Sequence, residues 1–86
     1  MENRASPDID EVIREEKRLT ALESQFEAWA DGLSAGIEPE ILAEAALSAA
    51  CQELLRVTNE DTALALIDRI RERIVGGEFS PVRSRH

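Results

Sequence analysis

Five polar residues, Glu40, Glu44, Ser48, Gln52 and Arg56, recur at every fourth position through an otherwise apolar stretch. A four-residue period stacks side chains along one side of an α-helix and has no counterpart in a strand, whose faces alternate every second residue. Between Pro39 and Val57 nearly every other position is Ile, Leu, Ala, Cys or Val. The sequence therefore predicts a helix over 39–57, polar along one narrow stripe and apolar over most of its circumference, so that neighbours must cover it on more than one side. Its central run, Ala45-Ala46-Leu47-Ser48-Ala49-Ala50-Cys51, consists mainly of small side chains that let another helix backbone come close.

Two more helices flank it. Upstream, Ser6 or Asp8 can cap a helix whose first turn accepts Pro7, and Asp8 with Glu11 has the spacing of a capping box. Leu19, Leu22, Phe26, Trp29 and Leu33 then alternate steps of three and four, the seam of a helix packed lengthwise on another. The expected span is 7–34, with Gly36 as the stop and Gly32 as an earlier alternative, because glycine accepts the left-handed conformation that ends helices. Downstream, Thr58 and Asp61 form a capping pair for a third helix over 60–75, whose inner side reads Ala63, Leu64, Ile67, Ile70, Arg71 and Ile74. Gly76-Gly77 ends it, and Phe79 is placed to fold back onto its last turn. Residues 1–6 read as a flexible lead-in and residues 78–86 as a flexible basic tail, leaving 7–77 as one domain.

The expected fold is thus all-α, a three-helix antiparallel bundle with a long first helix, completed by dimerisation. Length supports the last step. At about 1.5 Å per residue the three helices would measure roughly 42, 28 and 24 Å, and the overhanging end of the first carries Ile9, Val12 and Ile13. A chain of 86 residues has a thin stability margin unless a metal, a disulfide or a partner adds to it. With Cys51 as the one cysteine and His86 as the one histidine, neither an internal disulfide nor a zinc site can be assembled. The expected interface is Ile9, Val12, Ile13, Leu19, Leu22, Phe26, Trp29, Ala45, Ala46 and Ala49, with a second copy as partner.

Charge narrows the function classes. The net charge of −8 argues against a nucleic-acid surface, which draws affinity from clustered Lys and Arg. Residues 1–36 hold nine acids and four bases, 37–61 six acids and one base, and 62–86 three acids and five bases. A nucleic-acid-associated regulator would have to use Arg69, Arg71 and Arg73 with Arg83 and Arg85 of the tail. Pairing of those cations with the acidic first helix is the simpler expectation, and that acidic face suits a basic protein partner.

Catalytic chemistry has little to work with. Glu40 and Glu44 sit one turn apart, as metal-bridging carboxylates can, but no Glu-x-x-His accompanies them. His86 at the chain end is no preorganised base, and Cys51 among alanines has no cation beside it to activate a thiolate. Trp29 and Cys51 are expected in the core. The reading is a noncatalytic interaction protein, an adaptor or accessory subunit, without cofactor or metal. No apolar run reaches the roughly 18 residues of a membrane span and no signal peptide is legible, so a cytoplasmic location is expected.

Overall fold

The computed structural model describes residues 8–81, and among them all regular secondary structure is α-helical. In chain order the elements are α1 (Ile9–Ser34), α2 (Pro39–Val57) and α3 (Glu60–Val75). Ser6, Pro7, the lead-in, and the tail residues Arg83, Arg85 and His86 lie outside the described residues.

Each helix boundary follows from local chemistry. Asp8 is the N-cap of α1, with φ −62° and ψ 133°. Its carboxylate accepts from the Asp10 N–H at 3.3 Å, while its backbone carbonyl accepts from Glu11 and Val12. Glu11 therefore enters through its backbone, in place of the reciprocal capping box expected. At the other end Gly36 adopts φ +85°. The Ile37 N–H reaches back to the Gly32 carbonyl at 3.1 Å and the Gly36 N–H to that of Leu33 at 2.9 Å, the paired bonds of a Schellman ending. Gly32 does not stop the helix; it lies within the last turn.

Pro39 opens α2, where its missing N–H costs nothing because the first-turn donors have no helical partner. Thr58, expected as the cap of α3, belongs to the end of α2: its hydroxyl donates to the Leu54 carbonyl at 2.8 Å. The cap of α3 is Asn59, whose side-chain oxygen accepts from the Thr62 N–H at 2.8 Å. A threonine whose hydroxyl is committed to the preceding helix cannot also serve the next one. Asn59→Ala should accordingly cost about 1 kcal/mol of stability, and Thr58→Ala less. Chemical denaturation, with amide exchange at Thr62, measures both.

The end of α3 repeats that of α1. Gly77 has φ +80°, its N–H bonds the Ile74 carbonyl at 3.0 Å, and the Glu78 N–H bonds the Arg73 carbonyl at 3.0 Å. Phe79 folds back onto the last turn as expected, and Glu78, expected to begin a flexible tail, is tied to this ending as well. The Arg73 guanidinium pairs with Glu78 at 3.0 Å and lies 4.7 Å from the centre of the Phe79 ring.

The chain divides into two compact units at the junction of Ala43 and Glu44, inside α2. In the first unit Trp29 and Gly32 of α1 and Leu42 and Ala43 of α2 are half-buried. The contact that joins them is close: a β-carbon built on Gly32 would run into the methyl groups of Leu42. In the second unit Cys51, Leu54, Ile70 and Gly77 are half-buried and Ala63 is buried. Ala63 and Ile70, seven apart, share one face of α3.

Candidate interaction surface

Among the described residues Ala63, at 6% exposure, is the single buried side chain. Folded helical domains bury their Leu, Ile and Phe residues preferentially. Here eighteen large apolar side chains stand open to solvent.

On α1 the seam positions Leu19, Leu22, Phe26 and Leu33 are exposed, Phe26 by 67%. Trp29, expected in the core, is only half-buried, as is Cys51. Ile9, at 69%, Val12 and Ile13 are likewise open. Val12 continues the line of Leu19 and Phe26 at sevenfold spacing, with Ile9 about 60° and Ile13 about 100° round the helix from it. The expected interface on α1 is thus a long seam that widens to one side at its N-terminal end.

On α2, Ala45, Ala46 and Ala49 are exposed. Their spacing of three, four and seven from Leu42 places them on the same side of α2 as that residue. Sequence reasoning read Gly32 as a possible helix stop and missed its contact with Leu42; the available signal was a small residue one turn before the glycine that does end the helix.

The inner side expected for α3 is mostly uncovered. Ala63 and Ile70 are shielded, but Leu64, Ile67 and Ile74 are exposed, Ile74 by 61%. Leu66, not singled out in the sequence, joins them. An amphipathic pattern identifies a face that can be buried, and one α2 neighbour covers only part of it.

The electrostatics are local. Ion pairs between described residues join Arg18 to Glu15 at 2.7 Å, Arg56 to Glu53 at 3.1 Å and Arg73 to Glu78. Beside Arg18, whose guanidinium donates to it twice, the Glu15 carboxyl is held below its ordinary pKa of 4.5. A lowered folded-state value means stability present above the unfolded pKa and lost as pH falls through the folded one. In an NMR titration the Glu15 midpoint should fall below 4.5, and Arg18→Met should return it. Being fully exposed, the pair adds little to overall stability.

No group of three His, Cys, Asp or Glu side chains among the described residues could hold a metal ion. No described helix is long and apolar enough to cross a membrane. No protein family, curated protein or solved structure matches the chain.

Proposed function

We propose that this chain is a noncatalytic helical interaction protein, an adaptor or regulatory subunit that works as a homodimer and offers an acidic surface to a basic protein partner. The observation that carries the reading is the near absence of buried side chains among the described residues, beside fully formed, well-capped helices. Most helical stability in proteins comes from packing an apolar face rather than from intrinsic propensity.

Magnitudes favour association. Fully burying one Leu, Ile or Phe contributes about 1.5–3 kcal/mol. Covering the exposed half of Ile9, Val12, Ile13, Leu19, Leu22, Phe26 and Leu33 would contribute on the order of 7 kcal/mol per copy, and about twice that for a pair. Association itself costs an estimated 4–15 kcal/mol. At the lower end of that cost the balance, about 10 kcal/mol, exceeds the roughly 8 kcal/mol of a micromolar complex, and two-fold pairing is the commonest closed solution for identical chains.

The test is the mass of the protein in solution. Light scattering after size exclusion at micromolar concentration should give twice the 9.5 kDa of one chain. A single well-ordered 9.5 kDa species would overturn the homodimer and remove the main support for an interaction role.

A further inference from the structure

The four-residue polar stripe of α2 stays in solvent. Glu40, Glu44, Ser48, Gln52 and Arg56 are all exposed. Ile41 and Leu55, seven residues to either side of Ser48, are open by 55% and 47%. The residues of α2 that do pack, Leu42, Ala43, Cys51 and Leu54, are half-buried and centre about 130° round the helix from Ser48. The striped face is therefore not the one used within the chain. Because all of its residues belong to one continuous helix, their alignment follows from helix periodicity alone.

The stripe has opposite charge at its two ends. Acids stand at 40 and 44, a base stands at 56, and the small Ser48 marks the middle. A helix laid along it must therefore be basic where the stripe begins, acidic where it ends and small at the centre. A second copy of α2, run in the opposite direction, has this pattern. Counting equal distances from Ser48 sets Glu40 against Arg56, Glu44 against Gln52, and Ile41 against Leu55. A copy run in the same direction would set Glu40 and Glu44 against themselves, which like-charge repulsion disfavours. Arg56 can take part, since its side chain is 71% exposed and its bond to Glu53 within α2 is weakened by solvent.

We infer that two copies of this chain pair through α2 in opposite directions, with the two-fold axis passing at Ser48 and Glu40 of each copy meeting Arg56 of the other. This rests on the homodimer reading and specifies where its axis lies. The contact is the same patch used twice, as a two-fold interface requires, and the small side chain at its centre lets the two backbones approach.

A charge swap within one chain tests it. Glu40→Arg alone and Arg56→Glu alone should each weaken self-association by about tenfold, because each sets like charges together at both ends of the contact. Glu40→Arg with Arg56→Glu should restore it, since opposite charges then meet again. If the stripe acted only within its own helix, the double variant would be the worst of the three, with a base at the N-terminal end and an acid at the C-terminal end opposing the helix dipole. A second arm needs no charge change. In a Cys51→Ser background, Ser48→Cys should form a disulfide between two copies under mild oxidation, because an axial position faces itself at bridging distance. Glu53→Cys, exposed on another side of α2, should cross-link far more slowly. If the wild-type protein is dimeric and either the swap restores nothing or Ser48→Cys cross-links no faster than Glu53→Cys, this axis is overturned while the homodimer stands. If the wild-type protein is monomeric, the reading beneath it fails as well.

Discussion

Phe26→Glu is expected to lower the solution mass to that of one chain and to reduce helical content in the same sample. Phe26 sits at the centre of the α1 seam, 67% exposed in the single copy, so a carboxylate there meets water without strain as long as nothing covers it. Once another helix covers the position, an unpaired charge must be desolvated, which costs several kcal/mol. That penalty is comparable to the whole net stability of association, so the substitution should shift the dimer equilibrium by more than a hundredfold. Because the helices depend on burial, circular dichroism should record the loss alongside light scattering. Unchanged mass and helicity would place this seam outside any interface. Ser24→Glu, exposed on the opposite side of the helix from the seam, is the control that should leave both signals intact.

The second large effect belongs to Gly32. A β-carbon at this position would collide with the Leu42 methyl groups, so side chains here act on the packing of α1 and α2 within the first unit. For Gly32→Ala two terms oppose each other. The helix gains about 1 kcal/mol from the exchange of glycine for alanine, while displacing one flexible leucine end costs a similar amount, so the net change should be small. Gly32→Ile has no such offset. Its β-branched bulk must displace Leu42 outright, and a loss of about 1–3 kcal/mol is expected, read as a lower midpoint in thermal or denaturant unfolding. Gly32→Ile with Leu42→Ala should recover part of it, because the smaller partner returns the space.

Helix positions were legible wherever the deciding chemistry is local. Asp8, Gly36, Pro39 and the Gly76-Gly77 pair mark ends through bonds to residues at most five positions away, and such bonds can be read from a sequence. Asn59 and Thr58 show the limit even there. Both are good capping residues, and the choice turned on which backbone group each could reach once α2 had ended. Burial was harder to read. The apolar spacing of α1 and α3 identifies faces that can be covered, but coverage depends on which helix arrives, and it left Trp29 and Cys51 half-buried and Phe26 open. Gly32 was misread for the same reason, since its role is set by Leu42, ten residues away.

The two glycine endings also give the chain a preference in handedness at two backbone positions. Gly36 and Gly77 hold φ of +85° and +80°, and nothing stands within 4 Å of where a β-carbon would sit at either. An L-alanine there would be strained by roughly 1–2 kcal/mol, whereas for D-alanine a positive φ is the ordinary helical region. In a chemically assembled chain, a mirror-image residue at position 36 or 77 should therefore raise stability by about 0.4–1 kcal/mol through a less disordered unfolded state. These are two sites where the fold selects against the stereochemistry of the ribosome's own alphabet and glycine is its only encoded compromise.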